Sequence, residues 1–483
     1  MLEPTVTGRR LAVATVAKGR GESPHCPPHP LFAAELRTYA PGVADTDDRR
    51  IAATDEVIEL AHQLLRIDTT NTGDPATVVG EREAAEWVAA LLEEVGYDCV
   101  YVESGAKRRA NVVTRLAGRD PARGALLIHG HLDVVPADAS EWTVDPLSGE
   151  VRDGYLWGRG AIDMKHMVAT SVALARQFKR DGTVPPRDLI FAFLADEEAG
   201  GFFGAKWLVE HRPELFDGAT EAISEVGGFS VTMGDGVRAY LIETAEKGIR
   251  WLRLRAEGTA GHGSMLHTDN AVARLAAAVA RLGEHRFPLI LSEPVRDFLA
   301  GVSDITGVAF DEDDPEAAVA RLGNLSRMIG ATLRDTANLT MFHAGYKANV
   351  VPSVATASVD CRMLPGREET FGRELTEILG PGIDIEWDGL PPVQTTFDGA
   401  LVDKMTAALV AEDPCARALP YMLSAGTDAK SFQMLGIRNF GFTPLKLPAD
   451  LDFTALFHGV DERVPTEALT FGVRVLERLL LDC

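Results

Sequence analysis

Apolar positions in the first half of the chain follow two alternating patterns. Short continuous apolar runs alternate with segments in which apolar residues recur at helical spacing. The apolar runs cover residues 99–102, 111–116, 125–128 and 189–195, and the helical segments cover 54–65, 84–95, 167–178 and 205–211. Buried apolar runs separated by amphipathic helices are typical of parallel strands covered by helices. We therefore predict an α/β fold with a mixed, largely parallel sheet flanked by helices.

A different pattern begins near residue 246. Strand-like segments at 251–254, 339–342 and 354–361 accompany an alanine- and leucine-rich helical segment at 271–282. This strand–helix–strand–strand order has its own apolar set, which predicts an inserted α+β domain over 246–365. The α/β pattern returns after the insertion and ends in a helical segment at 466–480. The main domain is thus expected to comprise 51–245 and 366–483.

Residues 1–50 show no sustained periodicity and are rich in proline. We expect a mostly disordered extension. The pair Arg9 and Arg10 before a short apolar stretch is similar to an export signal. However, the stretch is at the lower limit of length and Lys18 and Arg20 follow it, which argues against export.

Charge and cysteine content narrow the class of protein. The formal net charge of the 483 residues is -23, which excludes nucleic acid and anionic membranes as expected partners. The five cysteines are odd in number and form no C-x-x-C pair, so neither a disulfide framework nor a cysteine zinc site is supported. This usage predicts a reducing, cytoplasmic location. No apolar run is long enough to span a bilayer.

Polar residues that can bind a metal or take part in catalysis follow the predicted strands. His129, His131 and Asp133 come directly after the run at 125–128 and share one face, because side chains alternate along a strand. A histidine with a nearby carboxylate is typical of a metal ligand and the group that orients it. Two ordinary histidines at the end of a strand explain the pattern equally well. Asp163 follows a glycine-rich turn and precedes a helix, where it is either a ligand or only an N-cap.

Three further segments end in carboxylates or histidine. Asp196, Glu197 and Glu198 follow an apolar strand, where they repel one another unless a cation is bound or the turn is solvated. Glu225 and His458 also end apolar segments, and each alone fits a structural role better. Together these residues form a nitrogen and oxygen donor set at the sheet edge where ligands bind. Such a set suits zinc, or less selectively manganese or cobalt.

These motifs, in this order, resemble the M20 metallopeptidase family. The resemblance runs from about residue 54 to the C-terminus and is closest to the branch of vacuolar carboxypeptidases and aminoacylases. It implies a catalytic domain of the zinc-exopeptidase type with an inserted lid and dimerisation domain. The segments that carry it are His131 with Asp133, residues 158–165, residues 196–198, Glu225, His458, and the later segments 345–352, 360–366 and 426–428.

The resemblance implies a pair of zinc ions, with cobalt or manganese as substitutes. Asp163 would bridge the two ions, His131 and Glu225 would complete one site, and Glu198 and His458 the other. Asp133 would orient His131. Glu197 would take a proton from a water that the two ions share and pass it to the leaving nitrogen.

The resemblance also implies substrate-binding residues. His262 matches a lid histidine that reaches a neighbouring active site, which implies a homodimer through the lid. Gly263 stands where the family usually has serine, and a histidine that only fixes a turn is the alternative. Asn349 and Arg362 would hold a substrate carboxylate; for Arg362 the alternative is a surface salt bridge. Gly426 and Thr427 would belong to a substrate loop.

The implied reaction is hydrolysis of an amide bond adjacent to a free carboxylate in a small molecule. A carboxypeptidase, a dipeptidase or an N-acyl-amino-acid hydrolase would perform it. A biosynthetic deacylase of the same chemistry is the first alternative. A non-catalytic amino-acid-binding or scaffold member is the second, and the intact set of ligands and base argues against it. A dehydrogenase or aminotransferase is disfavoured because no glycine fingerprint follows the first strand.

Overall fold

The structure is a computed structural model that describes residues 51–233 and 236–483. The predicted extension at 1–50 lies outside the described residues. Within the two described ranges, no helix has the length and apolar character needed to cross a membrane.

The secondary structure alternates between strands and helices along the chain. The strands are β1 (Val100–Glu103), β2 (Ala110–Leu116), β3 (Ala125–His131), β4 (Val151–Arg152), β5 (Tyr155–Trp157), β6 (Leu189–Leu194), β7 (Ala219–Ser224), β8 (Phe229–Thr232), β9 (Arg238–Glu246), β10 (Gly248–Glu257), β11 (Gly261–His262), β12 (Thr336–Ala344), β13 (Val350–Val351), β14 (Val354–Met363), β15 (Asp384–Leu390), β16 (Val393–Gln394), β17 (Ala416–Leu423), β18 (Arg438–Gly441) and β19 (Arg463–Pro465). The helices are α1 (Ala53–Arg66), α2 (Arg82–Glu94), α3 (Lys165–Asp181), α4 (Ala205–His211), α5 (Ala271–Glu284), α6 (Glu293–Thr306), α7 (Pro315–Ala320), α8 (Leu325–Gly330), α9 (Glu368–Leu379), α10 (Ala400–Glu412), α11 (Ala429–Gln433) and α12 (Thr466–Asp482).

A ten-stranded sheet forms the larger layer. Its main path is β1-β2-β6-β3-β7-β18-β9-β16, and β8 and β17 also pair with β9. The central strands β6, β3, β7 and β18 are parallel, whereas β1 and β2 at one edge and β16 at the other are antiparallel to their neighbours. The predicted α/β fold with a mixed, largely parallel sheet is confirmed.

Helices cover both faces of this sheet. In β3, Leu126 and Ile128 join the apolar core that includes α1, α3 and α12, whereas Leu127 joins the core on the opposite face with α4 and α11. Every side chain of β3 and β6 is therefore buried, which is why both strands consist of continuous apolar runs. The carboxyl ends of the parallel strands meet at one edge of the sheet, and the polar motifs lie there.

A four-stranded antiparallel sheet forms a second layer, in the order β12-β14-β10-β15. One face is covered by α5 and α9, where Leu254 and Val359 pack with Leu275 and Phe371. The other face is open, and Trp251 on β10 is 37% exposed there.

This second layer differs from the predicted insertion over 246–365 in two ways. It continues to Leu390, because α9 and β15 pack on and pair with its other elements. The helices α6 to α8, which the periodicity did not predict, instead bury Phe298, Leu299 and Ile329 in the same core as β17 of the large sheet. The division into domains stays a prediction.

Candidate metal centre

Two histidines share the carboxylate of Asp163. His131 Nε2 lies 3.1 Å from Asp163 Oδ1, and His458 Nε2 lies 3.1 Å from Asp163 Oδ2. Glu225 Oε2 is 3.3 Å from the His131 nitrogen, and Glu198 Oε2 is 3.1 Å from the His458 nitrogen. The structure thus brings the five predicted ligands together on either side of Asp163, and their division between two metal sites stays a prediction from the resemblance.

The sheet edge positions most of this cluster. His131 is the last residue of β3, Glu198 lies in the short 3-10 turn after β6, and Glu225 directly follows β7. These three strands are parallel neighbours, so their carboxyl ends are adjacent. Asp163 comes from the turn before α3, and His458 comes from the loop before β19, where it is half-exposed.

Asp133 contacts both His131 and the turn that carries Glu197. His131 Nδ1 lies 3.0 Å from the backbone carbonyl of Asp133 and 3.5 Å from its Oδ1, and these contacts direct Nε2 towards Asp163 and Glu225. The Asp133 carboxylate also accepts hydrogen bonds from the backbone N–H groups of Glu197 and Glu198, at 3.1 and 3.2 Å. The predicted role of Asp133 beside His131 stays a prediction, and its side chain also fixes the turn that carries Glu197.

Asn71 and Arg109 extend this buried network behind the cluster. Asn71 Nδ2 donates to Asp133 Oδ2 at 2.8 Å and to Asp196 Oδ1 at 3.1 Å. Arg109 pairs with Asp196 at 3.0 Å and with the fully buried Glu81. Sequence reasoning missed both residues, because neither lies near a motif. The one available indication was an arginine directly before the apolar strand β2.

Glu462 joins the two loops that carry Asp163 and His458. Its buried carboxylate accepts from Arg159 at 2.7 Å and from the backbone N–H groups of Ile162 and Asp163 at 2.7 and 3.2 Å. Arg159 also donates to the carbonyl of His458 at 3.2 Å. Glu462 follows His458 closely in the sequence, but the sequence analysis predicted no role for it.

The cluster contains more negative charge than its own side chains balance. Burial and the nearby Glu225 raise the pKa of Glu197 well above its usual value, and burial raises that of Glu225 to about 8. Hydrogen bonds to Asp163 and Glu198 raise the pKa of His458 to about 10. Repulsion among buried carboxylates is what a bound cation relieves.

The donor set and its spacing fit a divalent metal. Ligand atoms of His131, Asp163 and Glu198 lie within 4.8 Å of one another, as do those of His131, Glu197 and Glu225. Glu198 Oε1 is buried and has no hydrogen-bond partner among the described residues. Imidazole nitrogens combined with carboxylate oxygens suit zinc.

A cleft of about 550 Å³ opens above the cluster. Asp163, Glu197, Glu198, Glu225 and His458 line it together with Asp428. Many of the other lining residues are apolar and come from both sheets, from α8 and from two loops: Val226, Ile249, Trp251, Met328, Leu390, Leu423, Ala455 and Phe457.

The predicted loop residues Gly426 and Thr427 line this cleft. Thr427 is held by the buried Glu246, which accepts from its backbone N–H at 2.9 Å and from its hydroxyl at 2.5 Å. Lys430 pairs with the same carboxylate at 2.8 Å. A Cβ at Gly426 would lie 2.7 Å from the Ile249 side chain, so a larger residue there would require this side chain to move. The Thr427 hydroxyl is thus engaged in shaping the loop.

Arg362 also lines the cleft and pairs with Asp360 through two hydrogen bonds, at 2.7 and 3.0 Å. His262 and Asn349 are exposed and lie together where β11 pairs with β13, and neither is among the described residues that line the cleft. Ser264 Oγ lies 2.8 Å from His262 Nδ1 despite the intervening Gly263. The single chain therefore does not bring these two residues to the cluster.

Two charged residues of the described cleft, Asp428 and Arg327, were not among the predicted site residues. Asp428 belongs to the recognised loop segment, and its Oδ2 is buried without a hydrogen-bond partner in the described structure. Arg327 lies on α8, a helix that the periodicity did not predict.

The chain is similar to known proteins in sequence and in fold. Residues 127–482 match the profile of peptidase family M20/M25/M40. The N-fatty-acyl-amino acid synthase/hydrolase PM20D1 of Xenopus tropicalis is 27% identical over 88% of this chain and 85% of that protein. Aminoacylase-1 of Sus scrofa is 28% identical over 88% of this chain and 94% of that protein. The crystal structure of the M20 family metallo-carboxypeptidase Sso-CP2 from Sulfolobus solfataricus has a TM-score of 0.67 at 17% identity, over 89% of this chain and 99% of that chain.

Proposed function

Because the chain belongs to peptidase family M20/M25/M40, we propose that it is a two-metal hydrolase of amide bonds adjacent to a free carboxylate. The observation that carries this proposal is the Asp163 carboxylate, whose two oxygens each face one histidine at 3.1 Å. Its substrates are small peptides or N-acyl amino acids.

The proposed cofactor is a pair of zinc ions, with cobalt or manganese as substitutes. Asp163 would hold both ions, His131 and Glu225 would complete one site, and Glu198 and His458 would complete the other. When bound, such ions supply Lewis acidity that activates water and polarises an amide carbonyl.

Glu197 is the proposed proton carrier. Its carboxylate lies on the floor of the cleft, 4.0 Å from His131 Nε2, and the backbone of its turn is held by Asp133. A carboxylate in this position takes a proton from water and returns it to the leaving nitrogen.

The substrate class follows from the walls of the cleft. Apolar side chains such as Trp251, Met328 and Phe457 favour an apolar acyl group or amino-acid side chain. The names of the relatives, an aminoacylase and an N-fatty-acyl-amino acid hydrolase, support N-acyl amino acids as the first substrates to test.

We also propose a homodimer through the second sheet. β12 ends that sheet, and its exposed side chains include Leu339, Met341 and Phe342. A second copy docked along this strand would bring its own His262 and Asn349 towards the cleft. There His262 would donate a hydrogen bond to the developing oxyanion.

The test combines metal analysis with hydrolysis of a panel of dipeptides and N-acyl amino acids. We expect two bound divalent ions per chain and turnover that stops after chelation and returns with zinc or cobalt. Full turnover by completely metal-free protein contradicts the proposal. A metal-loaded protein that binds amino acids without hydrolysing any panel member would favour the non-catalytic alternative.

A further inference from the structure

We propose that Ser264 is a positioning residue, which holds the ring of His262 so that its Nε2 carries the proton and donates it in a hydrogen bond. This inference rests on the proposed function and deepens it, because it explains how His262 would present an N–H group to the developing oxyanion. It also gives a purpose to the serine that follows His262 only after the intervening Gly263.

Two donor groups of Ser264 meet the same ring nitrogen of His262. The backbone N–H of Ser264 donates to Nδ1 at 3.3 Å, and Ser264 Oγ lies 2.8 Å from the same atom. A backbone N–H can only donate, so Nδ1 is the acceptor and carries no proton. The hydroxyl, which is free to rotate, then acts as a second donor to Nδ1. The hydrogen-bond network therefore assigns the proton of the neutral ring to Nε2.

A tight turn at 262–265 creates this arrangement. The carbonyl of His262 accepts a hydrogen bond from the backbone N–H of Met265 at 3.0 Å, which closes the turn. The backbone N–H of Gly263 donates to the carbonyl of Asn349 at 3.0 Å, which ties the turn to the segment before β13. The backbone thus fixes the turn on both sides of the serine, and the serine in turn fixes the ring.

A ring held in this way suits the stabilisation of an oxyanion. It offers one directed N–H group and gives up no proton to the substrate. A ring with its proton on Nδ1 would instead present a lone pair at Nε2 and would repel the developing negative charge. Among the described residues, none forms a hydrogen bond with Nε2 of the exposed His262, so this group is available to a ligand. In the proposed function the positive charge comes from the metal ions, and His262 needs to supply only this donor.

The position of the proton is measured by nitrogen-15 NMR of the full chain labelled at histidine. Comparison with His262→Ala identifies the ring signals of this residue among the 12 histidines of the chain. At about pH 8.5, where an imidazole is neutral, we expect a protonated Nε2 and an acceptor Nδ1. Ser264→Ala should shift both signals towards the average of the two tautomers. A proton on Nδ1 in the parent protein overturns the inference.

Steady-state kinetics of the zinc-loaded protein with an N-acyl amino acid connects the ring to turnover. Ser264→Ala should lower kcat about threefold to tenfold and leave KM unchanged, because the donor acts only where charge develops. Ser264→Thr keeps the hydroxyl and should restore kcat. The same Ser264→Ala change made in His262→Ala should have no further effect, since the serine acts through the ring. Ser353→Ala, at an exposed serine between β13 and β14, is the matched control.

The two measurements separate this inference from the proposed function. An unchanged kcat in Ser264→Ala, or an equal loss whether or not His262 is present, overturns the positioning role. The NMR measurement needs no turnover, so it decides the state of the ring even if the parent protein hydrolyses no substrate, a result that would contradict the proposed function instead. Unchanged thermal unfolding of the variants excludes a folding defect.

Discussion

The side-chain oxygen Oδ1 of Asp133 accepts a hydrogen bond from the backbone N–H of Glu197 at 3.1 Å. This contact connects the strand that ends in His131 with the turn that carries the proposed proton carrier. Besides its predicted role beside His131, Asp133 therefore fixes the position of Glu197, and we expect its replacement to affect catalysis more than metal content.

Replacement of Asp133 by asparagine tests this assignment. The amide has one acceptor oxygen for two backbone N–H donors, so the turn at Glu197 and Glu198 loses a hydrogen bond. We expect kcat to fall by about 10- to 100-fold, with a smaller loss of bound metal, measured by steady-state kinetics and elemental analysis. Asp138→Asn, at an exposed turn, is the control. Unchanged kcat in Asp133→Asn would contradict the role.

Replacements of Glu197 and Glu225 should distinguish loss of catalysis from loss of metal binding. Glu197→Gln is expected to keep both ions and to lower kcat by about 10²–10⁴-fold, because the amide accepts no proton. Glu225→Ala should instead lose one ion per chain, since Glu225 lies 3.3 Å from His131 Nε2 at one side of Asp163. Metal content after dialysis and kcat, measured on the same samples, distinguish the two. Retained turnover in Glu197→Gln removes it as the proton carrier.

Lys247 should make the free energy of unfolding depend on pH in the alkaline range. Burial lowers its pKa to about 8 in the folded protein, below the value near 10.5 of an exposed lysine. Between these values the unfolded chain binds more protons, so stability rises with pH from about 8 to 10.5 and is reduced below that window. Across this window the free energy of unfolding should rise by about 3 kcal/mol.

Urea unfolding of the parent protein and of Lys247→Met at pH 7.5, 9 and 10.5 measures this effect. The stability difference between the two proteins should shift in favour of the parent as pH rises. Lys107→Met, which changes an exposed lysine, should show no such shift. A constant difference between the parent and Lys247→Met across the three pH values would rule out a lowered pKa.

The dimer proposal predicts complementation between inactive variants. Neither Glu197→Gln nor His262→Ala should be active alone, but mixed dimers would contain one cleft with Glu197 and a neighbouring His262. We expect activity to return when the two proteins exchange subunits. Phe342→Asp on β12 should produce a monomer in light scattering and prevent this recovery, whereas Val151→Asp, at another exposed apolar position, should not. A monomeric parent protein with full activity would exclude the arrangement.

The sequence predicted the large sheet and grouped the candidate metal ligands because both leave local patterns. β3 and β6 are buried on both faces, so β6 and residues 125–128 of β3 are continuous apolar runs, and the candidate ligands His131 and Glu198 follow such runs. The layer to which α8 and β15 belong depends on tertiary packing rather than periodicity, so a local pattern does not indicate it, and the division into domains stays a prediction. Asn71, Arg109 and Glu462 act through contacts across large sequence separations, and no local pattern indicates such contacts.

The two arginines that line the described cleft belong to different layers of the fold. Arg362 is carried by the four-stranded sheet together with Ile249 and Trp251, whereas Arg327 is anchored through Leu325 and Ile329 to the core beneath the metal cluster. A shift of the small sheet relative to the large one would therefore move Arg362, Ile249 and Trp251 together, whereas Arg327 would keep its distance from Asp163. The width of the cleft, and with it the size of the substrate that fits, would then depend on the position of the small sheet.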